Sequence, residues 1–259
     1  MKPISYYSTM IYKDFSPEVL KKIKHCLDQA KKTQAHPVAA FDADGTLWDT
    51  DLGEAFFDYL IENKKVDLPP EPWDHYKSLK KKKPEEAYLW LAQICKNFDL
   101  TQIQSWATDC VLQLRPPLFE AQKNLIEFFI KEGVQVFIIT ASVKWAVEPG
   151  ALLFGLSSDQ VIGVETKVIN GKISEQQAGS ITYRQGKVEA LKEKTNGILP
   201  FYSSGNSEGD TELLSCATHL AMAVSACRRD DPLFRSENQL FKIAKEKGWM
   251  AHRFVEDDN

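Results

Sequence analysis

Four aspartates fall within the stretch FDADGTLWDTD, which occupies residues 41–51 and follows the short apolar run 38–41. They are Asp42, Asp44, Asp49 and Asp51. Like charges held close together repel, so a fold accepts them only where positive charge lies among them. The stretch therefore predicts a buried strand whose carboxyl end carries an acidic site, with a divalent cation as the usual source of compensating charge.

Further polar residues stand at the ends of other predicted strands. Thr140 ends the apolar run 134–140 and is followed closely by Ser142, while SGNSEGD at 204–210 follows another apolar run. Lys187 stands at the start of a predicted helix, after TYRQG. Because ligands of parallel sheets bind outside the carboxyl ends of the strands, we expect these side chains to converge on one crevice.

This combination of groups suits phosphoryl transfer. A carboxylate can attack phosphorus and form an aspartyl-phosphate, and Mg²⁺ screens the negative charge of both partners through hard oxygen ligands. A second carboxyl two residues on can protonate the leaving oxygen and then deprotonate the attacking water. A hydroxyl and a lysine can hold the equatorial oxygens of the phosphoryl group.

The elements that must position these groups follow an α/β pattern. Ser16 as N-cap and Pro17 in the first turn begin a predicted helix over 16–33, before the strand at 38–41. Beyond residue 116 helices and strands alternate, which predicts a doubly wound parallel sheet covered on both faces. The predicted strands are 134–140, a hairpin over 161–173 around Asn170-Gly171, 198–204 and 220–226, and the predicted helices are 117–132, 143–154, 186–196, 209–217 and 232–247.

Residues 53–115 break this alternation and predict a mostly helical insertion after the first strand. Its predicted helices are 54–62, 84–98 and one from Thr101, where Gln104 three residues on indicates a capping box. Residues 64–83, rich in Lys and Pro, are predicted to be a surface connection, and their lysine cluster a solvated face. The predicted domains are an N-terminal helical extension over 1–36, a core of 37–52 and 116–259, and the insertion over 53–115.

Composition narrows the class of protein. The 259 residues are 43% hydrophobic and 26% charged, an ordinary globular balance. A net charge of −4 gives no reason to expect nucleic acid or an anionic membrane as a partner. The five cysteines lack CxxC spacing, so neither a disulfide framework nor a zinc site is indicated. The N-terminal stretch lacks the apolar core of a signal peptide, and we expect a soluble, cytoplasmic protein.

Three stretches of the sequence, together with one lysine, resemble the four motifs of the haloacid dehalogenase superfamily of phosphohydrolases. These are FDADGTLW, VFIIT, Lys187 and GNSEGD, and the resemblance covers residues 37–250. The insertion resembles the C1 cap of the phosphoserine phosphatase-like branch, and DDPLFRSENQLFKIAKEKGW resembles the C-terminal helix of that branch. The resemblance implies a Rossmann-like core, Mg²⁺ as cofactor and hydrolysis of a small phosphorylated metabolite. Phosphoserine, phosphocholine and phosphoethanolamine are the natural candidates.

The resemblance also implies a role for each matching residue. Asp42 corresponds to the family nucleophile, and Asp44 corresponds to the general acid/base, whose backbone carbonyl also serves the metal. Thr140 corresponds to the phosphate-binding hydroxyl, and Lys187 corresponds to the lysine that neutralises charge.

The implied metal site departs from the family pattern at one position. Asn206 stands where many relatives have a metal-binding Asp, whereas Asp210 matches the second acid of that motif. An amide oxygen can ligate Mg²⁺ but adds no negative charge, so we expect a weaker site, or one in which Asp210 contributes more. The implied metal ligands are Asp42, Asp44, Asn206 and Asp210.

Several residues near the acid pair have structural as well as functional interpretations. Asp49 and Asp51 are candidate caps of the next helix, and Asp51 is also a candidate substrate contact. Phosphoserine phosphatase-like members tend to carry an acidic residue there, facing a cationic group of the substrate. Trp48 is the aromatic residue expected to meet the substrate, and Ser142 is favoured as a helix N-cap over a second phosphate ligand.

Three other functions compete with a phosphatase. Dehalogenases of the same superfamily lack the second acid, so Asp44 argues against that activity. Receiver domains use an aspartyl-phosphate as a signal, but the helical insertion and the GNSEGD loop do not belong to their pattern. The third alternative is a catalytically weak scaffold that binds a phosphoester or a protein partner without turnover, and only Asn206 favours it.

Overall fold

The computed structural model describes residues 12–231 and 233–255, so residues 1–11, 232 and 256–259 of the predicted domains lie outside the described part. The strands are β1 (Val38–Phe41), β2 (Gln135–Val143), β3 (Val161–Ile169), β4 (Lys172–Ala178), β5 (Tyr202–Gly205), β6 (Leu220–Ser225) and β7 (Met250–Arg253). Within the described residues they form one seven-stranded sheet in the order β4-β3-β2-β1-β5-β6-β7. The β3–β4 pair is antiparallel and the other pairs are parallel.

The helices flank this sheet and form the predicted insertion. They are α1 (Pro17–Ala30), α2 (Leu52–Glu62), α3 (Pro72–Lys82), α4 (Pro84–Gln93), α5 (Leu100–Leu114), α6 (Glu120–Lys131), α7 (Lys144–Leu152), α8 (Gln185–Lys194), α9 (Thr211–Ser215) and α10 (Phe234–Lys247). Helices α2 to α5 lie between β1 and β2 in the chain, and we call them the cap. The α/β class with a helical cap after the first strand is confirmed, whereas the boundaries between cap and core stay a prediction.

Alternate side chains of the central strands face opposite helical layers. Ala39 and Phe41 belong to the core cluster that includes residues of α1 and α6, whereas Val38 and Ala40 pack with Leu191 of α8 and with Leu213 of α9. Because both faces are covered, every residue of β1 is buried. The strand that leads into Asp42 is thus fixed from both sides.

Local signals in the sequence account for several boundaries. The Ser16 side chain accepts a hydrogen bond from the backbone N–H of Val19, so it caps α1 as predicted. Asn170 and Gly171 both have positive φ, 52° and 79°, which a two-residue type I′ hairpin turn requires. The predicted hairpin is therefore confirmed, and its second strand extends to Ala178.

Other predicted elements were wrong or incomplete. Residues 72–82, predicted to be a surface connection, form α3, because Pro72 begins a helix whose Tyr76 is buried in the cap core and whose basic last turn suits the helix dipole. Helix α5 begins at Leu100, so Thr101 lies inside its first turn and the predicted capping box is wrong. The predicted helix over 209–217 is a 3₁₀ turn, Glu208–Asp210, followed by α9.

The cap rests on the core through apolar contacts. Its buried cluster, which includes Phe57, Tyr76 and Leu91, also contains Trp145 of α7 and Ile173 of β4. This shared cluster holds the cap over the carboxyl ends of β1 and β2. Among the described residues, no helix combines the length and the apolar character needed to cross a membrane.

Strand β7 was not predicted, because it is short and only partly apolar. It is followed by Phe254, which is fully buried and stacks on Phe119 with ring centres 4.1 Å apart. Since Phe119 precedes α6, this stack ties the far edge of the sheet to the helical layer beneath β1.

We expect Phe254→Ala to lower the free energy of unfolding by about 3–5 kcal/mol, because it leaves a cavity beside Phe119. Leu152→Ala, at a side chain that is 64% exposed, is the control and should change this free energy by less than about 0.5 kcal/mol. Urea unfolding of both variants measures the difference. A loss in Phe254→Ala as small as in the control would contradict the anchoring role of the stack.

Candidate active site

Three neighbouring strands bring the predicted site residues to one edge of the sheet. Asp42 directly follows β1, Asn206 directly follows β5, and Thr140 lies in β2. Strands β2 and β5 flank β1 on its two sides, and Phe41 pairs with Ile138 and with Ser204. Because all three strands are parallel, their carboxyl ends meet where the sequence predicts.

The centre of the site is a buried ion cluster. The Lys187 ammonium lies 2.6 Å from Asp42 Oδ1 and 2.6 Å from Asp210 Oδ1. The side chains of all three residues are at most 9% exposed. Lys187 stands in the first turn of α8, so this helix places the cation between two strand ends.

The surroundings raise the pKa values of both Asp42 and Lys187. Burial, together with the charge of Asp210, raises the pKa of Asp42 to about 7, although Lys187 lowers it. Burial alone would lower the pKa of Lys187, but Asp210 and Asp42 raise it above its ordinary value. The cluster thus holds a permanent cation beside a carboxylate that gains from any further positive charge.

Asp44 is held by three donors. Its Oδ1 accepts hydrogen bonds from the Trp48 indole N–H and from the Leu52 backbone N–H, both at 2.8 Å. Its Oδ2 accepts one from the Ser142 hydroxyl at 2.7 Å. Burial raises the pKa of Asp44, while these hydrogen bonds lower it. The three hydrogen bonds therefore fix the direction of the carboxyl, which its predicted role in proton exchange would require.

These contacts bear on two expectations. Trp48 is fully buried, lies 5.9 Å from the Phe154 ring and orients Asp44 through its indole N–H, while its contact with the substrate stays a prediction. Ser142 is not the N-cap of α7, because that position is Val143. The Ser142 hydroxyl instead donates to Asp44, a contact between strands that neighbouring sequence does not reveal.

Thr140 carries the predicted phosphate-binding hydroxyl. It lies two residues after Ile138, the β2 residue that pairs with Phe41. Its Oγ1 accepts a hydrogen bond from the Ser142 backbone N–H at 3.0 Å, and its carbonyl accepts one from Thr182. Strand register therefore places Thr140 beside the stretch that carries Asp42 and Asp44.

The loop after β5 is organised by Asp210. Its Oδ2 accepts hydrogen bonds from the backbone N–H groups of Asn206 and Ser207 at 3.2 and 3.0 Å, and from the Ser207 hydroxyl at 3.0 Å. The loop thus folds around the same carboxylate that contacts Lys187. Gly45 is required opposite it, because a Cβ there would lie 2.0 Å from Asn206 Nδ2.

Sequence reasoning missed Glu237 of α10. The Asn206 amide donates to Glu237 Oε1 at 3.0 Å, and Glu237 is 1% exposed. One signal was available: the buried residues of α10 are Glu237, Leu240 and Ala244, so an acid occupies a core position of an amphipathic helix. Such an acid requires a polar partner, and the partner is Asn206.

The oxygen atoms at this edge suit a hard cation. They include the carboxylates of Asp42 and Asp210 and the Asn206 Oδ1, and Mg²⁺ prefers oxygen ligands. Among the described residues, no group of three or more His, Cys, Asp or Glu side chains is arranged to hold a metal. Of the four implied donors only two are carboxylates, at Asp42 and Asp210, because the others are the Asn206 amide oxygen and the Asp44 backbone carbonyl.

Cap residues close the site from above. The Asp51 side chain caps α2 through a 2.7 Å hydrogen bond from the Glu54 backbone N–H, as one of its two interpretations predicted. Asp49 instead accepts a hydrogen bond from the Tyr12 hydroxyl. A Cβ at Gly53 would lie 2.6 Å from the Ser142 hydroxyl oxygen, so the first turn of α2 lies directly on the residues that hold Asp44.

The lysine cluster predicted to be a solvated face is exposed at Lys77 and at residues 81–83, whereas Lys80 is only partly exposed and turns towards the cap. The Lys80 ammonium lies 2.9 Å from Glu54 Oε1, and it lies 5.2 and 5.5 Å from the ring centres of Tyr76 and Tyr88. The Tyr88 ring lies 5.4 Å from Tyr183, just before the helix that carries Lys187. The underside of the cap therefore presents two phenols, a lysine and a glutamate near the site.

Comparison with known proteins places this geometry in a family. A family model of the haloacid dehalogenase-like hydrolases matches residues 39–215. Among curated proteins, the chain is similar to a histidinol-phosphatase from Neisseria meningitidis serogroup C (strain 8013). The two are 23% identical over 236 residues, which cover 84% of this chain and 98% of that protein.

Solved structures share the fold over most of the chain. A conserved, functionally unknown protein from Anaerococcus prevotii DSM 20548 has a TM-score of 0.70 at 14% identity, covering 98% of both chains. A protein of unknown function from Bordetella pertussis Tohama I has a TM-score of 0.69 at 18% identity, covering 85% of this chain and 99% of its own. A substrate-bound phosphoserine phosphatase complex has a TM-score of 0.52 at 16% identity, covering 86% of this chain and 95% of its own. At these identities the likeness shows the fold alone.

The raised pKa of Asp42 predicts how the metal-free protein responds to pH. In the folded chain Asp42 holds a proton up to about pH 7, whereas in the unfolded chain its pKa is near the ordinary value of 3.8. Ionised Asp42 therefore destabilises the fold increasingly as the pH rises from about 4 to about 7. Asp42→Asn removes this cost.

In EDTA, Asp42→Asn should melt above the wild type at about pH 8, and the difference should shrink towards about pH 4. Each kcal/mol of this cost that the substitution removes corresponds to a rise of about 2–4 °C in melting temperature for a chain of this size. Asp28→Asn, on the exposed side of α1, is the control and should show no such trend. A wild type that melts above Asp42→Asn at about pH 8 would contradict the prediction.

Proposed function

Since the chain belongs to the haloacid dehalogenase-like hydrolases, we propose that it is a Mg²⁺-dependent phosphomonoesterase that acts on a small phosphorylated metabolite through an aspartyl-phosphate at Asp42. The observation that carries this proposal is the buried contact of Lys187 with both Asp42 and Asp210. A cation buried between two carboxylates at the strand ends is suited to receive the phosphate dianion. The phosphatase name of the relative from Neisseria meningitidis supports the same reaction class.

The proposed reaction has two displacements at phosphorus. In the first, an Asp42 carboxylate oxygen attacks phosphorus and the bond to the ester oxygen breaks, while Asp44 gives its proton to the leaving alcohol. In the second, a water molecule gives a proton to Asp44 and attacks phosphorus, the bond to Asp42 breaks, and inorganic phosphate leaves. Mg²⁺, when bound, would supply positive charge for the phosphoryl oxygens. It would be held by Asp42, the Asp44 carbonyl, Asn206 and Asp210.

The remaining residues position these groups. Lys187 and Thr140 would hold the phosphoryl oxygens, since both lie at the edge where the phosphate must bind. Trp48 and Ser142 would keep the Asp44 carboxyl aimed at the leaving oxygen through their hydrogen bonds to it. The cap would exclude bulk water, which favours a small substrate over a phosphoprotein.

We further propose that the leaving group carries a cationic nitrogen, as phosphoserine, phosphoethanolamine and phosphocholine do. Burial, together with the charges of Asp44 and Glu54, raises the pKa of Asp51 well above its ordinary value. Lys80 lowers this pKa, and a cationic group of the substrate beside Asp51 would likewise favour the ionised carboxylate. Histidinol phosphate, the substrate class named for the curated relative, is a related candidate.

A cytoplasmic location belongs to the same proposal. The five cysteines of the chain are all free thiols in the described structure, which suits a reducing compartment.

The proposed activity is tested by phosphate release from para-nitrophenyl phosphate, with and without Mg²⁺. We expect metal-dependent turnover by the wild type and a loss of about a thousand-fold or more in Asp42→Asn, because the nucleophile is removed. Leu152→Ala, which lies away from the site, is the matched control and should keep full activity. Failure of the wild type on this ester and on a panel of small phosphate esters would favour a scaffold that binds without turnover.

The proposed substrate class is tested by Asp51→Asn, which keeps a good helix N-cap. For phosphoserine, phosphoethanolamine and phosphocholine, kcat/KM should fall about tenfold or more, which is roughly 1.4 kcal/mol of lost attraction to the cation. For para-nitrophenyl phosphate, which has no cationic group, kcat/KM should change less than about threefold. Equal losses on both kinds of ester would refute a charge-specific contact at Asp51.

A further inference from the structure

Helix α10 places a buried carboxylate directly behind the loop that carries Asn206. Glu237 Oε1 accepts a hydrogen bond from the Asn206 side-chain amide at 3.0 Å. Glu237 Oε2 accepts two more, from the Ser225 hydroxyl at 2.5 Å and from the Cys227 backbone N–H at 3.0 Å. All three neighbours donate, so the carboxylate acts there only as an acceptor.

This contact determines which way the Asn206 amide points. A carboxylate accepts hydrogen bonds, so only the NH₂ group of the amide can face Glu237. The amide oxygen must then point the other way, where the Thr46 hydroxyl lies 3.3 Å from it. The same hydroxyl donates to Asp42 Oδ2 at 2.9 Å. The oxygen of Asn206 is therefore directed to the side of the site that Asp42 occupies.

Burial makes this orientation firm. Asn206 is 5% exposed and Glu237 is 1% exposed, so reversing the amide would bring two oxygen atoms together away from water. A buried acceptor left without a donor is costly, and more so beside a charge. The pair thus behaves as a single unit in which the negative charge lies on α10 and the oxygen ligand lies on the loop after β5.

We propose that Glu237 is a positioning residue for the cation site: it fixes Asn206 with its oxygen towards Asp42 and Asp210, and it supplies from behind the amide the negative charge that asparagine lacks. The inference rests on the proposed function, since it concerns the Mg²⁺ of that reaction. It also reverses the simple expectation that Asn206→Asp improves the site. The carboxylate introduced there would meet Glu237 at hydrogen-bond distance, and two buried like charges repel.

The test is Mg²⁺ affinity by isothermal titration calorimetry, with the melting temperature in EDTA measured in parallel. Glu237→Gln keeps the size of the side chain but removes its charge and its power to dictate the amide orientation. We expect its Mg²⁺ affinity to fall about 10–100-fold, as when a residue that orients a metal ligand is changed. Asn206→Asp alone should also bind Mg²⁺ more weakly than the wild type and should melt at a lower temperature.

The double variant Asn206→Asp with Glu237→Gln decides between positioning and simple packing. It exchanges the carboxylate and the amide, so the net charge and the hydrogen bond between them are kept. We expect it to recover Mg²⁺ affinity to within about threefold of the wild type, and it also serves if Glu237→Gln alone fails to fold. Ser225→Ala, which removes a hydrogen bond to Glu237 but leaves the amide contact, should lower the melting temperature while Mg²⁺ affinity stays nearly constant.

Each other outcome has a definite meaning. Equal Mg²⁺ affinity in the wild type and Glu237→Gln would overturn the inference and make Glu237 a structural residue, while the proposed function would stand. Tighter Mg²⁺ binding by Asn206→Asp alone would overturn it as well. Absence of Mg²⁺ binding by the wild type would overturn the proposed function, and the metal role of Glu237 with it.

Discussion

The rest of the site depends on one buried ammonium group. Lys187 is nearly inaccessible to water, and an isolated charge there would be very costly to bury. Its two carboxylate partners, Asp42 and Asp210, come from different strand ends, so the cation can be buried only when β1, β5 and α8 are all in place. With two carboxylates around one cation, the cluster carries an excess of negative charge once Asp42 is ionised. In the proposed function a further cation would balance this excess, and a phosphate would bind together with that cation.

The two aspartates of the DxD stretch lie in different surroundings although only Ala43 separates them. Asp42 points into the ion cluster with Lys187, whereas Asp44 turns towards the cap and is held by Trp48 and Ser142. The carboxylate oxygen of Asp42, which lies beside a cation, is suited to attack phosphorus. The carboxyl of Asp44, which is held by neutral donors, is suited to exchange a proton with the leaving group. The proposed division of roles between Asp42 and Asp44 therefore rests on which element each side chain contacts, which residue type alone does not decide.

How far the sequence predicts this structure depends on the range of the interactions. Apolar strands, the Ser16 cap and the Asn170-Gly171 turn are local and were confirmed, and the superfamily inferred from four motifs in order is confirmed by the family match. The functions of the individual site residues stay predictions. What the sequence could not predict is tertiary. The burial of Trp48 depends on α7 and its neighbours, and Lys80 turns inward only because α3 packs against α4.

The contact between Asn206 and Glu237 shows why a motif read alone can mislead. From the loop sequence alone, asparagine at position 206 in place of an acid indicates the loss of one negative charge. In the folded chain, α10 places the Glu237 carboxylate 3.0 Å from the nitrogen of that amide. A negative charge is therefore still present, on the neighbouring side chain and not on residue 206 itself. Electrostatic attraction to a cation decays slowly in a buried, weakly screened site, whereas ligand geometry is set by the contacting atom. In the proposed cation site, an amide oxygen backed by a carboxylate would keep much of the attraction of an acid while avoiding one more carboxylate beside Asp42 and Asp210.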